Sequence, residues 1–295
     1  MTMKVVVIGL GQMGGSMALT LKSAGFDVTG IDPGEQARQR LTSQGLTVAD
    51  ATHLPAADIY LLSLPTAHHV RSVIESAPGL LQHAAPGSVI VDTSTSDPVV
   101  SRELAQKVVK AGLEWLDAPV SGGPSGAASG QLGMLLGGEA STIERVTPML
   151  EAMAARYTHV GPAGSGHVVK LANNYLCAAH ILSTAEAVAL ATRAGVDPKA
   201  CLDGLNSSSG RSAVSEVNLP RWVLSGEFNS GFTTGLMRKD LRLAQEAAEQ
   251  LGLPLEMLEH TVARWQKAHD IEDSADFNRI AEAIITTAQK TQETS

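Results

Sequence analysis

Val5-Val6-Val7-Ile8-Gly9-Leu10-Gly11-Gln12-Met13-Gly14 runs from a β-branched block straight into three glycines spaced G-x-G-x-x-G. The block has the length and composition of a strand buried on both faces. Gly9 allows a tight turn, Gly11 lets backbone approach a ligand, and Gly14 lets the following helix pack close. The N-terminus of that helix then aims N–H groups at an anion such as a pyrophosphate. Downstream, Asp27–Ile31 is a second β-branched run ending in Asp32, eighteen residues after Gly14. A carboxylate there accepts hydrogen bonds from the adenine ribose hydroxyls of a dinucleotide and repels a 2′-phosphate. No Arg directly follows it, so the pattern favours NAD over NADP, with Gly9, Leu10, Gly11, Gln12, Met13, Gly14 and Asp32 as cofactor contacts.

The same alternation continues outward. Ile59–Ser63 and Ser88–Asp92 repeat the short apolar run between amphipathic stretches, and Trp115–Ala118 and Met134–Gly138 add further strands. A βαβ series of this kind predicts an α/β domain of Rossmann type, a doubly wound parallel sheet that binds ligands at the carboxyl ends of its strands. Past Gly166 the texture changes. His167–Ala194 contains neither Pro nor Gly and reads as one long helix, closed by Gly195 and Pro198. Helical patterns follow at Pro198–Leu205, Lys239–Gln250, Pro254–Ala268 and Asp276–Lys290, with no strand signal between them. The expected layout is a dinucleotide-binding domain over residues 1–163 and an all-α domain over 164–295, begun by the long interdomain helix.

Composition narrows the function. The 295 residues carry 22 Lys+Arg against 30 Asp+Glu, a net charge of −8, and the basic residues form no surface suited to tracking phosphates, so nucleic acid is not an expected partner. Four glycines interrupt the uncharged stretch Val5–Leu21, which argues against a signal peptide or membrane helix. Cys177 and Cys201 form no CxxC pair and fit reduced thiols in a cytoplasmic protein. The adjacent His68-His69 lacks the spacing and carboxylate company of a metal site, and no metal is expected.

Four further segments carry candidate chemistry. Ser63-Leu64-Pro65-Thr66 and Asp92-Thr93-Ser94-Thr95-Ser96-Asp97-Pro98 are strand ends placed to meet the dinucleotide; Asp97 reads as an N-cap before Pro98, which leaves Thr95 between strand and cap. Asp117-Ala118-Pro119-Val120-Ser121-Gly122-Gly123-Pro124 sets a serine before two glycines, a turn able to present a hydroxyl and N–H groups to a carboxylate, or equally a flexible hairpin. Gly164-Ser165-Gly166-His167-Val168-Val169-Lys170-Leu171-Ala172-Asn173-Asn174 puts Lys170 and Asn174 at i and i+4 near the start of the long helix. The positive helix end and burial both favour a neutral amine, the form that takes up a proton from a substrate hydroxyl, while Asn174 would orient the substrate. A solvated lysine beside an asparagine is the plainer reading.

These segments, together with Lys239-Asp240-Leu241, resemble the β-hydroxyacid dehydrogenase family, whose members include 3-hydroxyisobutyrate dehydrogenase and tartronate semialdehyde reductase. The resemblance spans nearly the whole chain: GxGxxG at Gly9–Gly14, DxPVSGGxxGAxxGxL at Asp117–Leu132, GxGxxxKxxNN at Gly164–Asn174, and KDL at 239–241. It implies Lys170 as catalytic lysine, Ser121, Gly122 and Gly123 as substrate-carboxylate contacts, Asn174 as substrate ligand, Leu64, Pro65 and Thr95 as cofactor contacts, and Lys239, preceded by Phe232, as a lysine closing over the cofactor. It also implies a homodimer or homotetramer. Read without the resemblance, Lys239 is a surface lysine at a helix start, a slightly unfavourable place for a cation. Arg211, in Leu205–Ser212, could pair an anionic substrate, although the Ser/Gly run around it is also ordinary linker chemistry. Two rival readings are an imine reductase, which shares the layout but usually carries another residue where Lys170 stands, and a dinucleotide-binding module without catalysis.

Overall fold

A computed structural model describes residues 2–49, 54–77 and 79–293. Its nine strands are β1 (Lys4–Ile8), β2 (Asp27–Ile31), β3 (Thr47–Ala49), β4 (Ile59–Leu62), β5 (Val89–Asp92), β6 (Glu114–Asp117), β7 (Val120–Ser121), β8 (Leu132–Gly138) and β9 (Ala154–Gly161). Helices α1 (Gln12–Ser23), α2 (Glu35–Ser43), α3 (Ala67–Glu75), α4 (Leu80–His83), α5 (Pro98–Lys110), α6 (Gly123–Ser129) and α7 (Ala140–Met153) lie between them. The chain divides into two compact units, Met1–Lys170 and Leu171–Ser295.

In the first unit the strand order is β3-β2-β1-β4-β5-β6-β8-β7, with β9 beside β8. From β3 to β6 every pairing is parallel. The apolar runs are continuous because both sheet faces are covered. Val5, Val7, Ile59, Leu61, Val89 and Val91 join one core with residues of α1 and α7, while Val6, Ile8, Tyr60, Leu62 and Ile90 join another with residues of α3 and α5. Each such side chain contributes about 1.5–3 kcal/mol on burial, so the strands are fixed from both sides. Between β1 and β4 the winding reverses, and the carboxyl ends of the strands there form the switch point at which doubly wound sheets bind ligands.

The sheet departs from the all-parallel expectation beyond β6. Strand β8 runs antiparallel to both β6 and β7, because the intervening chain is spent on the short β7 and the seven-residue α6, a hairpin-like return rather than a crossover. Strand β9 is parallel to β8. Its outward, polar pattern, with Arg156, Thr158 and His159 exposed or half-exposed, gives no strand periodicity to read.

The second unit is helical among its described residues. Helix α8 (Ser165–Arg193) begins in the first unit and continues here, followed by α9 (Pro198–Asn206), a ten-residue π-helix (Val214–Val223), α10 (Thr234–Gln250), α11 (Glu256–Lys267) and α12 (Arg279–Glu293). By length and composition α8 could cross a membrane, but Ala178, Ile181, Ala185 and Val188 recur on one face and pack in the core around Trp265. The Trp265 indole N–H donates to the Ala178 carbonyl at 3.2 Å. The π-helix contains Pro220, a residue that interrupts regular α-helix, and the sequence reading places no helix over those residues.

Candidate active site

The glycine loop follows β1 as the spacing requires. Gly9 sits at φ +95°, and a Cβ there would lie 2.2 Å from the Ser63 carbonyl oxygen; at Gly14 it would lie 1.9 Å from the Gly9 carbonyl. At Gly11 the same atom would meet nothing within 4 Å, so this glycine leaves space above the loop. Gly11 is the N-cap of α1 and supplies no side-chain capping bond, and the first turn carries no acidic residue. A dinucleotide pyrophosphate fits that helix end. The Asp32 carboxylate accepts from Leu10 N through Oδ2 and from Gly34 N through Oδ1, both at 2.7 Å. Each oxygen keeps a second acceptor site for a ribose hydroxyl. Two arginines not singled out by the sequence brace the region from α2: Arg40 donates to the Leu10 carbonyl at 2.6 Å, and Arg38 to the carbonyls of Asp32 and Pro33 at 2.8 Å.

The neighbouring strand ends converge as their register dictates. Leu64 N donates to Ser94 Oγ at 3.0 Å, joining the turn with Leu64 and Pro65 to the turn with Thr95. Asp97 caps α5 by accepting from Val99 N at 2.7 Å, with Pro98 as the first helical residue.

Lys170 Nζ donates to Ser121 Oγ at 2.8 Å, and Lys170 is only 6% exposed. The two residues are 49 positions apart. Gly122 and Gly123, next to Ser121, have φ of 120° and 64°, a backbone course that side chains oppose. Below them lies a polar cluster: Asp92, Ser94, Asp117 and His167 are all buried. Asp117 Oδ1 accepts from Gly164 N at 2.6 Å and Oδ2 from His167 N at 3.1 Å. His167 Nε2 lies 2.9 Å from the Ser94 carbonyl, an acceptor, so Nε2 carries the hydrogen. Burial pushes the Asp92 carboxyl above its usual range; His167, whose Nε2 is 3.8 Å away, and hydrogen bonds from Ser94 pull it back, and Asp117 adds to the rise.

In the second unit Asn174 Nδ2 donates to Asp240 Oδ2 at 2.6 Å, its Oδ1 accepts from Asn173 Nδ2 at 3.1 Å, and Lys239 Nζ is 3.3 Å from Asp240 Oδ1. Asn174, Lys239 and Asp240 thus form one cluster. The structure corrects the placement of Lys239: α10 begins at Thr234, so this lysine lies past the first turn and is largely buried rather than at the helix start. Its supposed misfit with the helix dipole disappears. Arg211 is exposed, with Glu216 at 3.8 Å as its ion-pair partner.

Residues 4–161 match the model described as the NAD binding domain of 6-phosphogluconate dehydrogenase, and residues 164–284 match the NAD-binding domain of NADP-dependent 3-hydroxyisobutyrate dehydrogenase. An NAD-dependent L-serine dehydrogenase of Pseudomonas aeruginosa is 38% identical over 83% of this chain and 85% of its own length. The chain belongs to the β-hydroxyacid dehydrogenase family. A 3-hydroxyisobutyrate dehydrogenase of the same organism is 35% identical over 94% of this chain and 96% of its own. The solved structure of Mycobacterium tuberculosis 3-hydroxyisobutyrate dehydrogenase with L-serine superimposes with a TM-score of 0.89 at 32% identity, covering 96% of this chain and 99% of that one. As a member of this family the chain is an NAD-dependent oxidoreductase acting on hydroxy acids.

Sequence reasoning missed Asp117, Asp92 and His167 as functional neighbours and quoted Asp240 only as part of a motif. Asp117 and Asp92 each close a strand, and that position was the available signal.

Proposed function

We propose that this β-hydroxyacid dehydrogenase oxidises a small acid bearing a hydroxymethyl group on the carbon that carries the carboxylate, with Lys170 as the proton acceptor. One observation carries the reading: the buried Lys170 amine meets the Ser121 hydroxyl at 2.8 Å, beside the Gly122-Gly123 turn. The turn suits the substrate carboxylate, which would place the hydroxyl against Lys170 Nζ. When bound on the glycine loop, NAD supplies the hydride acceptor. Lys170 takes the hydroxyl proton as the carbinol carbon gives up its hydride, leaving a semialdehyde; the reverse direction uses the same groups with Lys170 as acid. We assign Asn174, one N–H of which is held by Asp240, the role of substrate ligand through its second N–H, and Lys239 the role of cofactor contact. Leu64, Pro65 and Thr95 line the nicotinamide side, and Arg211 selects for an anionic tail.

Relatives named for L-serine, 2-(hydroxymethyl)glutarate and 3-hydroxyisobutyrate all act on substrates with that hydroxymethyl-carboxylate unit, which supports the substrate class. We place the domain boundary at 163/164 and expect a cytoplasmic homodimer or homotetramer; the exposed Leu176 and Leu190 of α8, two heptad positions apart, favour self-association. The decisive experiment is a panel of β-hydroxy acids with NAD and with NADP, followed by nicotinamide absorbance. Turnover of hydroxymethyl acids with NAD is expected; no reduction across the panel would overturn the reading.

A further inference from the structure

We propose that Asp117 is a positioning residue for Lys170, its buried carboxylate holding the first turn of α8 in the one register that brings the lysine to Ser121. This deepens the acid–base reading of Lys170 and rests on it. Asp117 is the last residue of β6 and fully buried, and its carboxylate accepts from Gly164 N and His167 N. Lys170 follows His167 by three residues, less than one turn, so it inherits the azimuth fixed at that bond. A slip of one residue would swing the lysine by about 100° and shift it by about 1.5 Å along the axis. Ser121 is four residues beyond Asp117 on the same course of chain. One carboxylate therefore ties together the turn that bears the hydroxyl and the helix that bears the amine.

The surroundings fit a clamp of fixed dimensions. A Cβ at Gly137 would lie 2.5 Å from Asp117 Oδ2; one at Gly166 would lie 2.5 Å from the Leu135 carbonyl and 2.7 Å from Asp117 Oδ2. Two glycines thus let strand β8 and helix α8 close on the carboxylate. Its two oxygens accept from N–H groups at the start of α8, donors that a helix leaves without partners of its own. An asparagine would offer one acceptor oxygen to two donors and set its own N–H against the other. A second tie at the helix start runs from the His167 ring to the Ser94 carbonyl.

The test compares Asp117→Asn and Gly166→Ala with wild type and Lys170→Ala. It reads kcat, substrate KM, NADH binding by fluorescence, and acylation of Lys170 relative to the exposed Lys199 and Lys267, by peptide mass spectrometry. Displacement of the lysine by roughly 1 Å should lower kcat about 100-fold. KM and the NADH dissociation constant should stay within about threefold, and Lys170 should label faster. Wild-type kcat in either variant, or kcat and NADH binding falling in step with Lys170 labelling unchanged, overturns the clamp. If Asp117→Asn does not fold, Gly166→Ala decides. If wild type oxidises no hydroxy acid, the proposed function fails, and the labelling rates alone judge the clamp.

Discussion

Replacing Lys170 by alanine removes both the proton acceptor and the donor to Ser121 Oγ, 2.8 Å away. The site is nearly closed to solvent at that point, so water is a poor substitute. General acid–base catalysis contributes about 10²–10⁴ in rate, which is roughly 2.7–5.4 kcal/mol on the barrier. Ser121→Ala deletes one hydrogen bond to a charged or chargeable group, worth about 1.5–3 kcal/mol, or roughly 10- to 150-fold. Were the two independent, the double variant would lose the product of both factors. Because they share one contact, it should lie within about tenfold of Lys170→Ala alone. The assay is single-turnover reduction of NAD, which separates chemistry from product release, alongside NADH titration by fluorescence. NADH binding should be unchanged, since the glycine loop is built by β1 and α1. Retention of more than about a tenth of wild-type turnover by Lys170→Ala, or strict multiplication of the two losses, would refute the reasoning.

Gly14→Ala should destabilise the fold and abolish NADH binding, because the added carbon meets a backbone carbonyl at 1.9 Å that cannot step aside, whereas Gly11→Ala should melt like wild type yet lose NADH affinity about tenfold or more; equal behaviour of the pair in melting and titration would contradict the loop assignment. Asp32→Ala leaves Leu10 N and Gly34 N without their acceptor, costing about 1–3 kcal/mol, and should erode the NAD-over-NADP preference in kcat/KM; a wild-type preference for NADP would disprove the role of this carboxylate. The Asp92 carboxyl is raised by burial, so its folded-state value exceeds the unfolded one and its favourable contribution to stability is lost as pH rises through the folded value. Asp92→Asn should therefore gain Tm relative to wild type progressively as pH increases, and a difference independent of pH would argue that Asp92 stays ionised.

Much of the first unit was legible because local chemistry decides it. The runs Val5–Ile8, Ile59–Leu62 and Val89–Val91 are apolar or aromatic at every step, as strands covered on both faces are, and Asp97-Pro98 announces the start of α5. Strand β9 was invisible because an exposed edge strand needs no apolar period, and the π-helix because its repeat differs from the one that apolar spacing reports. Lys239 was misplaced since α10 starts a turn earlier, at Thr234, where Thr233 caps it by accepting from Leu236 N.

The sequence by itself determined the βαβ order, the glycine loop with Asp32, and Lys170 with Asn174 on one helix. These depend on residues close in the chain, where turn geometry and helical spacing act directly. Only the tertiary structure decided the partners: Ser121 for Lys170, Asp240 for Asn174, and Asp117 for the start of α8. Those contacts join residues 49, 66 and about 50 positions apart. Sheet register and helix packing set such distances, and no local pattern in the chain records them.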